Sequence, residues 1–182
     1  MVNVAQHPDS PFRKYFPKIL SHEGGFVDNP NDLGGTTNKG VTIGTYKLFA
    51  AKLFNIAPTR TNLSKITDEQ VYLIYKTFWD DVRGDEIKDP EVAYQLVDFK
   101  INSGQAVRVF QETLVQMGAP ISADGIFGSK TLRTLNSYDS KEVYIKFREL
   151  RKEFYRDFAR RNPKQKIFLN GWLNRCNDFT YY

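Results

Sequence analysis

One cysteine, Cys176, and two histidines, His7 and His22, are the only thiol and imidazole groups in this 182-residue chain. A lone cysteine excludes an internal disulfide. With so few such ligands, neither a cysteine cluster nor a multi-histidine metal site can be assembled, and no metal or cofactor is expected. No stretch is long and apolar enough to span a bilayer. The opening MVNVAQHPDSPFRKYF has no charged start followed by an apolar run, so no secretory signal peptide is visible. A substrate outside the cytoplasm would then have to be reached by a holin-like or other leaderless route. Tandem repeats, low-complexity linkers and series of alternating strands are also missing. There is no phosphate-binding glycine loop and no supported Ser-His-Asp arrangement.

What is present is a globular composition. Hydrophobic residues make up 41% and aromatics 14%, which excludes a disordered chain. The length suits one domain, or a domain with a small appendage. A net charge of +5 predicts attraction to an anionic surface: nucleic acid, anionic lipid or cell-wall polymer. The surplus is concentrated between Lys141 and Arg175, where eleven Lys/Arg face four Asp/Glu. No nucleic-acid recognition motif accompanies it, so nucleic acid is not an expected partner.

The remaining signals are helical. Phe12, Tyr15, Phe16, Ile19 and Leu20 recur at three- and four-residue spacing. Thr42 predicts the cap of a helix through Tyr46, Phe49 and Phe54 that ends near Asn55. Thr67-Asp-Glu-Gln70 has capping-box spacing and predicts a helix carrying Val71, Ile74, Tyr75, Phe78 and Trp79. Asp89-Pro90 opens another through Val92, Leu96, Phe99 and Ile101, broken at Ser103-Gly104. A further helix runs from Ala106 to Met117 and stops at Gly118. Asp124-Gly125 predicts a turn, and Ser129 caps a short helix with Leu132 and Leu135. Asp139 opens a long basic helix that Pro163 terminates. Val143, Phe147, Leu150, Phe154 and Phe158 are its expected inner stripe, with the charges on the outer face. A last segment spans Ile167 to Phe179. The only room for β structure is Phe26-Val27 and Val41, so the fold class is mostly α with at most a tiny hairpin.

The chemistry points to Ser21-His22-Glu23-Gly24-Gly25 and the loop to Thr42. Gly24-Gly25 stops the first helix and leaves Glu23 as its last side chain, over a loop rich in glycine, asparagine and threonine. Two readings are open. Glu23 is either a solvated helix-terminal glutamate or a carboxyl between an apolar surface and a polar cleft, with its pKa raised enough to hold a proton. A glutamate at a helix C-terminus is mildly unfavourable with the dipole, so the first reading leaves its placement unexplained. His22 is adjacent but points elsewhere on the helix, which favours a solvated or capping role.

The run Glu23-Gly-Gly-Phe-Val-Asp28-Asn-Pro-Asn-Asp32-Leu-Gly34-Gly35-Thr-Thr-Asn38-Lys39-Gly40-Val-Thr42 resembles the opening motif of glycoside hydrolase family 108, N-acetylmuramidases found among phage endolysins and prophage or bacterial proteins. Tyr75-x-x-Phe78-Trp79 is similar to an aromatic segment of that family. Asp98-x-x-x-Asn102-Ser-Gly104, Phe110-Gln111, Ala123-Asp-Gly-Ile-Phe-Gly128-x-x-Thr131 and Gly171-Trp172-Leu-Asn-Arg175 resemble its predicted peptidoglycan-binding region and tail. The resemblance implies a lysozyme-like fold, with a catalytic region over 11–100 and a peptidoglycan-binding helical region over 101–182. It implies hydrolysis of the β-1,4 bond from N-acetylmuramic acid to N-acetylglucosamine, with Glu23 as general acid. The implied partners are peptidoglycan glycan strands and an anionic cell-wall surface, met by a monomer.

The second catalytic group stays open. Asp32 has a glutamate-to-aspartate spacing similar to phage-type lysozymes, but Asn38 stands where those place a threonine. Thr36, Thr37 or Thr42 could substitute in orienting a water. Asp28 competes, and Asp32 could instead brace the loop. Tyr46, Tyr75, Trp79, Asn102 and Gln105 are candidates for lining a sugar cleft. For the tyrosines and Trp79 core packing is an equal reading, and Asn102 could simply end its helix. Two rival functions remain: a lytic transglycosylase using the same acid, and a non-catalytic wall-binding or virion module.

Overall fold

The computed structural model describes residues 10–21, 25–27 and 35–181. Glu23, Asp28, Asp32 and both histidines lie outside them. The chain divides into two compact units, Met1–Thr77 and Phe78–Tyr182. The described residues contain nine α-helices, two 3-10 helices and one two-stranded sheet, so among them the fold is mostly α with one small hairpin, as expected. No described helix is long and apolar enough to cross a membrane.

In the first unit, α1 (Phe12–Ser21) buries Phe12, Tyr15 and Ile19. The hairpin pairs β1 (Thr37–Asn38) with β2 (Val41–Thr42), antiparallel, in the register Asn38↔Val41. Lys39 and Gly40 between them have φ of 48° and 75°. Positive φ at both central residues is the two-residue turn whose twist matches a hairpin, and the glycine takes the second of these positions without strain. Thr42 caps α2 (Ile43–Phe54) by accepting from the Thr45 backbone N–H at 3.1 Å, and Asn55 closes it in the left-handed conformation. The short α3 (Arg60–Ser64), capped by Thr59, is a helix the sequence pattern did not announce. It is too short to show a period. The capping box forms as read: the Gln70 N–H donates to Thr67 Oγ1 at 3.2 Å, and the Thr67 N–H to Gln70 Oε1 at 3.1 Å. They open α4 (Asp68–Asp81), within which the boundary between the units falls.

The second unit is built on α5 (Pro90–Asn102), whose residues 92–99 are all buried. Asp89 caps it as predicted. Around it stand α6 (Ala106–Gln116), α7 (Ser129–Ser137), α8 (Ser140–Arg161) and α9 (Leu169–Asn177). Gly128, rather than Ser129, is the cap residue of α7; the Ser129 hydroxyl instead accepts from Arg83 Nη1 at 2.9 Å. A 3-10 helix over Pro163–Phe168 precedes α9, so the expected single segment from Ile167 is divided.

The inner stripe of α8 also departs from expectation. Val143, Phe147 and Leu150 are buried, but the next inward residues are Arg151, Tyr155 and Ala159, while Phe154 and Phe158 are half-buried. Steps of four residues overrun the 3.6-residue turn, so the buried line drifts round the helix. What draws a guanidinium inside is Asp98 of α5, completely buried. Arg151 Nη2 donates to Asp98 Oδ2 at 2.7 Å, and Arg175 of α9 reaches Oδ1 through Nη2 at 2.7 Å. The Arg151 guanidinium also lies 4.9 Å from the Phe99 ring centre and 5.3 Å from that of Phe179, a favourable cation–π arrangement. Burial pushes the Asp98 pKa up, but the charges and hydrogen bonds of the two arginines outweigh it and hold the carboxyl below its ordinary value. Two of the eleven basic groups counted in this part of the sequence are therefore used internally.

Trp79 is fully buried, and its Nε1 donates to Asp85 Oδ1 at 2.8 Å. A Cβ on Gly84 would sit 2.3 Å from the indole Cε2. Gly84→Ala is expected to displace the ring and destabilise the protein by about 1–3 kcal/mol, the usual range for overpacking, measured by urea unfolding. An unchanged midpoint would mean the ring can move at no cost.

Candidate active site

The elements around the Glu23 motif are held from several sides. The Val27 N–H donates to the Thr37 carbonyl and the Thr37 N–H to the Val27 carbonyl, each at 2.8 Å. This pair ties together the two ends of the segment that carries Asp28 and Asp32. Beyond it, the Ile43 N–H donates to the Thr36 carbonyl at 2.8 Å, seating α2 against the same segment. Glu23, Asp28 and Asp32 themselves lie outside the described residues.

Asn38 explains why this chain has no threonine there. Its side chain is nearly fully buried, and its Nδ2 donates to the carbonyls of Leu63 and Ser64 at 3.0 and 3.1 Å. Those carbonyls close α3; that of Leu63 also accepts from the Ile66 N–H at 3.1 Å. A threonine hydroxyl has one proton to give and could not serve both. The hairpin is fixed further by a Lys39–Asp68 ion pair and by the Tyr75 hydroxyl, which donates to the Lys39 carbonyl at 3.3 Å.

The candidate hydroxyls differ in what they have to spare. Thr37 Oγ1 donates to the Gly35 carbonyl at 3.2 Å. Thr36 is almost fully buried. Thr42 is half-exposed; its Oγ1 accepts the α2 cap bond and lies 3.1 Å from Thr45 Oγ1. Thr42 thus sits at the start of α2 with its hydroxyl engaged by Thr45.

The remaining candidate residues are distributed over both units. Tyr46 and Tyr75, in the first, are each 1% exposed, and Trp79, in the second, is completely buried. Their burial is that of core packing. Asn102 is exposed, and its Nδ2 donates to the Asp98 carbonyl at 2.8 Å, a bond that closes the last turn of α5. Gln105 is also exposed and opens on a groove of about 670 Å³ along α6 and α8, shared with Phe154 and Phe158. Sequence reading assigned those two rings to the core. The buried line itself steps by four from Phe147 through Arg151 and Tyr155 to Ala159, and so drifts round the helix away from Phe154 and Phe158.

The Ala123–Thr131 motif is organised by Gln111 of α6, itself 1% exposed. Its Nε2, with two protons to give, lies 2.9 Å from Asp124 Oδ1, 3.0 Å from the Ile126 carbonyl and 3.1 Å from Thr131 Oγ1. Its Oε1 accepts from the Gly125 N–H at 2.8 Å. Asp124 also accepts from the Ile126 N–H at 2.9 Å, and Gly125 has φ +80°, so the turn read from Asp124-Gly125 is present. Asp124 has its pKa lowered, first by that backbone N–H and then by the Gln111 amide.

Comparison with known proteins bears on the same segments. Residues 16–104 match the family model described as glycosyl hydrolase 108, and residues 105–177 match that of a predicted peptidoglycan domain. No curated protein sequence matches the chain. Among solved structures, that of Brucella abortus SagA is similar with a TM-score of 0.76 at 26% identity, covering 92% of this chain and 90% of that one. The lysozyme-like, mostly helical fold stands. Glycosyl hydrolase chemistry in the first segment and peptidoglycan recognition in the second make this a glycoside hydrolase acting on peptidoglycan. The chain thus carries a glycosyl hydrolase 108 domain followed by a C-terminal predicted peptidoglycan domain.

Proposed function

We propose that the bond cleaved is the β-1,4 linkage from N-acetylmuramic acid to N-acetylglucosamine, and that Glu23 is the general acid. The observation that carries this reading is the hairpin following the Glu23-Gly24-Gly25 motif. It is pinned to Val27, to α3 through Asn38 and to α4 through Lys39, and so fixes the two described ends, Val27 and Thr37, between which Asp28 and Asp32 fall in the sequence. Glycosidic cleavage needs a proton delivered to the leaving oxygen and stabilisation of an oxocarbenium-like transition state. Glu23 supplies the proton; Asp32 supplies the second carboxylate, with Asp28 its competitor. Thr42 orients the attacking water, since its hydroxyl stands on the start of α2. The catalytic chemistry resides in residues 11–100, and residues 101–182 hold the wall.

The transglycosylase alternative uses the same acid but closes an anhydro ring without water. Mass spectrometry of muropeptides from purified, digested peptidoglycan separates the two. A reducing muramic end is expected; an anhydro end would replace hydrolysis by transglycosylation, and a reducing N-acetylglucosamine end would reassign the bond.

A further inference from the structure

We propose that the groove between α6 and α8 is a binding site for the glycan strand of peptidoglycan, distinct from the residues of the Glu23 motif and resting on the reading of the chain as a peptidoglycan hydrolase. All of its lining but Ser103 lies within the residues matched to the predicted peptidoglycan domain. The lining runs from Gln105 to Gln116 along α6 and from Leu150 to Asn162 along α8. At a rise of about 1.5 Å per residue this is a trough roughly 17 Å long, the form that suits a linear polymer better than a compact ligand.

Its chemistry suits neutral, N-acetylated sugars. Phe154 and Phe158 lie one helical turn apart with centres 6.2 Å apart and planes inclined by only 16°. Both are half-buried and both line the groove. They are braced from behind: Phe154 packs edge-on against Phe99 at 5.3 Å, and Phe158 against Trp172 at 5.8 Å. A rigid aromatic shelf of this kind fits the apolar face of a pyranose ring. Flanking it, the amides of Gln105 and Gln116 offer the paired donor and acceptor that an acetamido group needs, while Asn162 Nδ2 donates to the Phe158 carbonyl at 2.9 Å.

Charge argues against an anionic occupant. Although the chain carries +5, two arginines here, Arg108 and Arg161, face three carboxylates, Glu112, Glu153 and Asp157. Arg108 is paired with Glu112 at 3.3 Å, and Arg161 Nε donates to the Asp157 carbonyl at 3.3 Å. Glu153 has no ion pair among the described residues. The groove is therefore not basic, and a stem peptide rich in carboxylates or a teichoic-type polymer would be repelled at Glu153.

The test is an NMR titration of the full-length Glu23→Gln chain, which keeps the ligand intact, with a soluble tetramer of β-1,4-linked N-acetylglucosamine. Shifts are expected at Gln105, Gln116, Phe154 and Phe158. Phe158→Ala is expected to weaken binding by about tenfold or more, which is about 1.4 kcal/mol. Because that ring also packs on Trp172, the exposed pair Gln105→Ala/Gln116→Ala serves as a second variant, with the same direction of effect. Shifts confined to other residues, no binding at millimolar sugar, or occupation of the groove by a free stem peptide and not by the sugar would each overturn the proposal. If the Glu23→Gln chain still cleaved peptidoglycan, the general-acid assignment would fall, while the map of shifts would still decide the groove.

Discussion

Glu23→Gln is expected to lower lysis of purified bacterial walls by a factor of about 10² to 10⁴, the range that a positioned general acid contributes. The amide keeps the shape and most hydrogen bonds of the carboxyl but has no proton acidic enough to give to the bridging oxygen. Folding and wall association should survive, because neither depends on that proton. The decrease should therefore appear in the rate of wall clearing and not in circular dichroism or co-sedimentation with walls. Activity within a fewfold of the unsubstituted protein, in a folded variant, would remove Glu23 from the mechanism. Asp32→Asn and Asp28→Asn, measured in parallel, assign the second group: the one whose loss approaches that of Glu23→Gln holds the role.

The second large effect is on stability. Asp98→Ala is expected to cost about 3–5 kcal/mol, since it strands a fully buried guanidinium that the carboxylate neutralises. The same change also releases Arg175, which holds Asp98 through both Nε and Nη2 and is itself mostly buried. Breaking the triad frees α5, α8 and α9 from one another at the centre of the second unit. Urea unfolding followed by circular dichroism measures it, and a loss below about 1 kcal/mol would mean that the rings of Phe99, Tyr155 and Phe179 alone satisfy Arg151. The triad also sets an acid limb. Asp98 has its folded-state pKa below the unfolded value of about 3.9, so in acid the unfolded chain binds more protons. Its contribution is complete above the unfolded value and is lost as pH falls through the folded one. Asp98→Asn should lower stability at neutral pH and flatten the decline in acid.

Much of the local architecture was legible beforehand because its causes are local. Thr42, Asp89 and Asp139 cap α2, α5 and α8 through backbone N–H groups two or three residues away. The Thr67–Gln70 box closes within one turn. The hairpin was expected from Phe26-Val27 and Val41: Val41 does lie in β2, but its partner strand is Thr37–Asn38, and Val27 makes only an isolated bridge to Thr37. Departures came where a partner lies far along the chain. Arg151 reads as an outer-face charge until Asp98, 53 positions earlier, draws it inside. Asn38 reads as a departure from a motif until the carbonyls of α3, 25 and 26 positions later, account for it.

The candidate site divides along the same line. That the chain should act on peptidoglycan followed from the resemblance of its motifs to a family, which the family models bear out; the place of Glu23 lies outside the described residues. Residue order determined most of the helices and the caps of α2, α5 and α8, since each is decided within a turn or two by spacing and hydrogen bonds; α3 and the cap of α7 were not read from it. Tertiary structure alone decided that Tyr46, Tyr75 and Trp79 are core residues, that two arginines share one buried aspartate, and that Phe154 and Phe158 face a groove. Burial depends on which surfaces meet, and the same amphipathic pattern permits several such meetings until packing selects one.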